Sequence, residues 1–281
     1  MNRILQAAWK EFLYGGHLQC LGSIAILATA AGLFQAPFPW GLPVSTYAVS
    51  YAVYAYNRLL EVVADAETNP ARSAFIAAHE RAHWRAFFLS SVLAAVVVLT
   101  TASWYGGLFL GLLFVCGLLY TNIFKALTRF IPAFKTLYVA GAFAALVFLP
   151  FAYSERKIPL AAVAFAGWVF GDGAIMQIFL DVKDMDSDAR SRLRTIPLLL
   201  GRKLTFRMLY GLTLVSAVPP LVWGSLTAHF PPETAALAIA PLLSMVAFRI
   251  AQKGWYQGYL MESGKFISWP ALLALGRAMA G

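Results

Sequence analysis

Charge is scarce in this chain: only 12% of its 281 residues are Asp, Glu, Lys or Arg, about half the usual fraction of a soluble domain. Cysteine is scarcer still. Cys20 and Cys116 both fall inside apolar runs, which excludes a disulfide framework or a thiolate metal site and leaves them as small packing residues. Strict apolar–polar alternation is missing, which argues against a β-barrel. A secretory leader is not expected either, because Arg3 and Lys10 are followed by a polar mixture and then a full-length apolar span. What the chain has in abundance is apolar sequence: 60% of residues are hydrophobic and the mean hydropathy is +0.68. Runs of about 20 apolar residues recur from end to end, the signature of membrane-spanning helices.

The expected fold is therefore all-α and polytopic, a single domain over residues 1–281 with about nine transmembrane helices in one bundle. Candidate spans are 17–36, 41–64, 86–104, 105–124, 134–153, 159–181, 205–226, 233–250 and a short 266–280. Residues 1–16 read as an amphipathic lead-in whose Trp9, Phe12 and Tyr14 suit the membrane interface. Basic residues gather in alternate loops: Arg3 and Lys10, the 65–85 loop, Lys125/Arg129/Lys135, residues 183–207, and Arg249/Lys253/Lys265. The intervening loops near 37–40, 102–106 and 227–233 carry no Lys or Arg, and the 153–158 loop has only Arg156 and Lys157 beside Glu155. That asymmetry places the basic side in the cytoplasm. The net charge of +9 is then a topology signal, and it calls for no nucleic-acid partner. The expected location is a bacterial inner (plasma) membrane.

Against this apolar background two acidic groups stand out. Asp181, Asp184 and Asp188 lie at i, i+3 and i+7, one face of a helix, where an apolar run ends. Asn57, Glu61 and Asp65 lie at i, i+4 and i+8, again on one face, at the end of the second span. Like charges at the mouth of a membrane helix are costly unless neutralised. Each group alone has a plain alternative: a solvated charged loop for the first, and a Glu61–Arg58 pair with Asp65 ending the helix for the second. Two such faces at equal membrane depth instead suit Mg²⁺, which accepts a few carboxylates and keeps coordination sites for substrate phosphates. Arg72, Lys125, Arg129, Lys135, Arg190, Arg192 and Arg194 supply nearby donors fit for phosphate oxygens.

At these residues the chain resembles the UbiA superfamily of intramembrane prenyltransferases. The first signature of that family, Asn-x3-Asp-x3-Asp followed by Pro and Arg, is matched by Asn57, Glu61, Asp65, Pro70 and Arg72. The second is matched in register by Asp181, Asp184, Asp188, Arg194, Thr195, Ile196, Pro197 and Gly201. A Tyr and a basic residue after the fourth span are similar to Tyr120, Lys125 and Arg129. Three departures mark a divergent branch: Glu61 for Asp, Arg58 where many members carry Asp, and Arg192 where Gly is common.

The resemblance implies Mg²⁺-dependent transfer of a prenyl group from an isoprenyl diphosphate to a lipophilic acceptor in the membrane. It implies Asn57, Glu61, Asp65, Asp181, Asp184 and Asp188 as metal ligands, with Asp65, Asp181, Asp184 and Asp188 central to catalysis. Asn57, Arg72, Lys125, Arg129 and Arg194 would bind the diphosphate. Tyr54, three residues before Asn57, would wall the pocket with Tyr120 and with Gln177, one turn before Asp181. A terpene cyclase, ionising the same substrate without an acceptor, would use the same residues. A transporter or lipid-binding scaffold fits less well, because the acids cluster at one interface and no repeat is visible. Asp172 lies on the opposite helix face from Asp181 with no partner named by the sequence, Asp186 is out of phase and solvated, and His79 and His83 suggest a surface helix.

Overall fold

In the computed structural model, residues 3–280 are described, and all regular structure among them is helical. Met1 and Asn2, at the head of the expected lead-in, lie outside the described residues. The order is α1 (Arg3–Tyr14), α2 (His17–Phe34), α3 (Gly41–Thr68), α4 (Pro70–Ala78), α5 (Glu80–Thr101) and α6 (Trp104–Leu119). A π-helical turn (Tyr120–Phe124) and α7 (Lys125–Leu127) extend α6, and α8 (Phe134–Leu146) and α9 (Leu149–Tyr153) follow. Then come α10 (Leu160–Lys183), α11 (Met185–Arg190), α12 (Ile196–Leu200), α13 (Arg202–Leu226), a 3₁₀ stretch (Pro232–Ala238) and α14 (Ile239–Gln252). The chain ends with α15 (Gln257–Ser263), a 3₁₀ turn (Lys265–Ser268) and α16 (Trp269–Ala280).

Among the described residues, six helices are long and apolar enough to cross a membrane: 17–34, 80–101, 104–127, 160–183, 202–226 and 232–252. The other three expected spans show why length and hydropathy alone are incomplete. Residues 41–64 lie in α3, whose last turns are polar. Residues 134–153 are split between α8 and α9, with Pro150 in the first turn of α9. Residues 266–280 are the second half of a broken helix that begins at Gln257. The expected 65–85 loop is itself mostly helical, taken up by the end of α3, α4 and the start of α5.

Over residues 160–171 α10 is apolar on all sides, as a helix buried in a bundle or facing lipid must be. Phe165, Val169 and Met176 are buried among residues of α2, α8 and α16, and Trp168 stacks on Trp269 with ring centroids 4.7 Å apart. Further along, Phe179 packs between Phe248 of α14 and Tyr259 of α15. α13 carries Pro219 and Pro220 internally. Proline has no N–H to donate one turn back, so Pro220 leaves the Ser216 carbonyl without its helical partner. Trp168 Nε1 donates to that carbonyl at 2.7 Å, meeting the demand that buried backbone be satisfied internally.

The amphipathic α1 is tied down by Glu11. Its Oε1 accepts from the Tyr51 hydroxyl at 2.8 Å and lies 3.5 Å from His17 Nε2. His79 is exposed, whereas His83 lies on the inward face of the largely exposed α5, buried with its Nε2 3.8 Å from Glu11 Oε2.

α3 and α6 meet at Gly117, where an added Cβ would stand 2.6 Å from Val53 Cγ2. The Gly117 carbonyl also accepts from Asn57 Nδ2 at 3.3 Å. Gly117→Ala is therefore expected to cost about 1–3 kcal/mol through overpacking and to push Asn57 from its place. Thermal unfolding of the purified variant in detergent reads the loss.

Candidate active site

Asp181, Asp184 and Asp188 do not ride one continuous helix. α10 ends at Lys183, Asp184 caps it, and α11 restarts at Met185. The three carboxylates still face one cavity of about 310 Å³, joined there by Asn57, Glu61 and Asp65 from α3. Tyr54, Arg72, Tyr120, Lys125 and Gln177 line the same space. Asp186 is exposed, as expected.

Each carboxylate is matched with a cation. Lys125 Nζ lies 2.5 Å from Glu61 Oε1, so Glu61 pairs across to α7 rather than with its neighbour Arg58. Asp65 Oδ2 accepts from Arg72 at 2.7 Å and has Arg58 at 3.5 Å. Lys135 Nζ bridges Asp181 Oδ1 at 3.1 Å and Asp188 Oδ2 at 2.7 Å. Asp181 Oδ2 also accepts from Thr136 Oγ1 at 3.2 Å. Lys183 Nζ stands 3.7 Å from Asp184 and donates to Asn69 Oδ1 at 3.1 Å. Asn57 is held by its amide: Oδ1 accepts from Thr121 Oγ1, at 3.0 Å, in the π-helical turn.

Two carboxyls at the rim of the cavity titrate differently. Burial pushes the Asp188 carboxyl up, against the pull of Lys135. Burial acts the same way on Asp184, but Lys183, Lys135, Arg72 and Arg58 outweigh it and hold that carboxyl below its usual range.

Arg129 and Arg194 are exposed and lie off the cavity wall. Arg129 Nε donates to the Ser191 carbonyl at 3.1 Å. Arg194 works through its backbone, donating to the Thr128 carbonyl and accepting from Ala133 N–H. These bonds, with Lys135 N–H donating to buried Thr128 Oγ1 at 2.9 Å, lock the start of α8 and so aim Lys135. Arg190 pairs with Glu67, joining α11 to α3. Arg192 adopts φ 54°, the left-handed region where glycine is at ease, which accounts for glycine being common at that position.

Sequence reasoning left Lys183 and Tyr138 out of the site. Both line the cavity. Lys183 could have been found by its place beside Asp184; Tyr138, which stacks on Tyr120 at 5.7 Å, had no comparable signal.

Below the charged groups the wall turns apolar, through Leu110, Leu113, Phe143, Leu146 and Met176. From Lys135 to Leu146 along α8 is roughly 16 Å at 1.5 Å per residue. A charged mouth over an apolar shaft suits an amphiphile with an anionic head and a hydrocarbon tail.

The fold and this site together define an all-helical, intramembrane type of protein built around a head-group pole. The chain belongs to the UbiA prenyltransferase family, whose model matches residues 20–259. Solved structures share the fold. A UbiA homologue from Archaeoglobus fulgidus bound to GPP and Mg²⁺ is 14% identical with a TM-score of 0.65, the alignment covering 94% of this chain and 99% of that one. The apo UbiA homologue from Aeropyrum pernix K1 is 16% identical with a TM-score of 0.62, covering 100% and 99%. A digeranylgeranylglyceryl phosphate synthase is 13% identical with a TM-score of 0.58, covering 96% and 97%. No curated protein sequence matches the chain.

Proposed function

We propose that this protein transfers a prenyl group from an isoprenyl diphosphate to a lipophilic acceptor. The reading places it in a bacterial inner membrane as one domain of nine crossings, with the charged mouth toward the cytoplasm. The observation that carries it is the juxtaposition of paired carboxylates and cations with an apolar shaft in one cavity.

The donor set fits Mg²⁺. Carboxylate and amide oxygens are the ligands a hard cation takes, and Asp184 Oδ1 is buried without a hydrogen-bond partner. Asn57, Glu61, Asp65, Asp181, Asp184 and Asp188 would hold it. Mg²⁺ bound there would offset the charge that grows on the departing diphosphate.

The chain's own residues do the rest. Arg72 and Lys125 reach diphosphate oxygens and stabilise the leaving group as the C1–O bond breaks and the electron pair departs with it. Tyr54, Tyr120 and Tyr138 exclude water and offer π-faces to the allylic cation. The acceptor then bonds to C1 and gives up a proton.

Diphosphate release by the purified protein tests this, with geranyl, farnesyl and geranylgeranyl diphosphates supplied with and without Mg²⁺ and extracted membrane lipid as acceptor source. Release is expected only with Mg²⁺, with the Asp181→Ala/Asp65→Ala variant inactive. An active double variant, or no Mg²⁺-dependent binding of any of the three by calorimetry, would overturn the reading. Release with an internally cyclised product and no acceptor adduct would replace transfer by cyclisation.

A further inference from the structure

Among the described residues, Arg58 is the one cation of the charged mouth that makes no side-chain hydrogen bond. It follows Asn57 on α3, and its guanidinium lines the cavity with 19% of the side chain exposed. Its one ion partner among the described residues is Asp65, at 3.5 Å, and its buried Nε has no hydrogen-bond partner. Asp65 is already satisfied by Arg72 at 2.7 Å. The Nε of Arg72 is likewise buried and unpartnered.

A guanidinium carries five N–H donors in a rigid fork and stays charged. Burying one with a single long contact is expensive unless an acceptor arrives to complete it. Neutralising Asp65 does not explain Arg58, because Arg72 does that with better geometry. Two guanidiniums gathered on one carboxylate at the wall of one cavity match an anion that offers several oxygens on tetrahedral centres.

We propose that Arg58, with Arg72, forms a guanidinium clamp that binds the diphosphate head directly and without a metal. The proposal rests on the prenyl-transfer reading and adds a residue to it. The clamp takes its share of the head-group charge on the α3–α4 side, leaving the α10–α11 carboxylates as the side that needs Mg²⁺.

The test is calorimetric titration of the full-length protein in detergent with inorganic pyrophosphate, in EDTA and free of divalent ions. The wild-type protein is expected to bind, and Arg58→Gln to bind about 10–100-fold more weakly, the loss of a charge-assisted contact. Arg58→Lys keeps the charge and loses the fork, so an intermediate loss is expected; that variant carries the test if Arg58→Gln does not fold. Arg156→Gln, at an exposed residue between α9 and α10 that is off the cavity wall, should bind as the wild type does. Absence of metal-free binding by the wild-type protein, or equal binding by the Arg58 variants, overturns the clamp. A parallel titration with geranyl, farnesyl and geranylgeranyl diphosphates, each with Mg²⁺, separates the two readings. Binding there that Arg58→Gln leaves unchanged removes only the clamp, whereas no binding there removes the prenyl-transfer reading with it.

Discussion

Replacing Lys265 by methionine is expected to cost about 3–5 kcal/mol of stability, the loss seen when a buried ion pair keeps only one partner. Lys265 Nζ stands 3.0 Å from Asp172 Oδ2 and 2.8 Å from Glu262 Oε1, and donates to the Asp172 carbonyl at 2.9 Å. Asp172 is 0% exposed and Glu262 1%. Methionine would fill the volume but leave two carboxylates in the bundle interior with no cation. The triad also joins α10 to the break between α15 and α16, where the 3₁₀ turn gives up regular backbone bonds. Unfolding of the variant by SDS in mixed micelles measures the cost. The Asp172→Leu/Glu262→Leu/Lys265→Met variant removes every charge and should recover most of the loss. A single variant as stable as wild type would mean that water reaches the triad.

Lys135→Met is the second large effect, and it should depend on divalent ions. Lys135 is the one cation that touches both Asp181 and Asp188. Without it the two carboxylates repel at short range, and stability in EDTA should fall by about 3 kcal/mol or more. Mg²⁺ binding to the folded state alone would restore part of that, so the melting temperature of the variant should rise more on adding Mg²⁺ than that of the wild type. Diphosphate release should fall by roughly 10²–10³-fold, the usual result of removing one charge-stabilising donor from an active site. Equal melting shifts in the two proteins would show that Lys135 is not standing where a metal charge is needed.

Much of this was legible in the sequence because helical periodicity reports faces. The runs that became α2, α5, α6, α10 and α13 were visible as apolar segments, and the two acidic triplets declared their shared face by spacing alone. Tyr54 and Gln177 followed from the same arithmetic, one turn from a placed residue. Periodicity does not report partners. Asp172 was an intramembrane carboxylate without one, while Lys265, 93 residues away, read as a loop residue of the cytoplasmic side because it precedes an apolar run. The structure buries it instead, since the final helix begins at Gln257 and breaks at Lys265. The surface helix expected around His79 and His83 is there, but the burial of His83 was not legible, because only the fold brings Glu11 to it. Arg129 and Arg194 were assigned to the diphosphate by the resemblance. In the structure both are exposed and neither lines the cavity.

The pairing of Glu61, Asp65, Asp181, Asp184 and Asp188 with Lys125, Arg72, Arg58, Lys135 and Lys183 makes the mouth of the cavity an internal zwitterion. Its field falls off far faster than that of a net charge, so it draws in few ions from a distance. The surrounding leaflet is crowded with singly charged phosphodiesters, each competing for the same arginines and lysines. Such a head group would have to break an internal pair and could replace only one side of it. A diphosphate arriving with a divalent cation brings both signs, and can exchange partners with cations and carboxylates at once. On the proposed function, selection of a rare diphosphate over abundant phospholipid would begin in the self-neutralised state of the site, before any tail is measured by the shaft below.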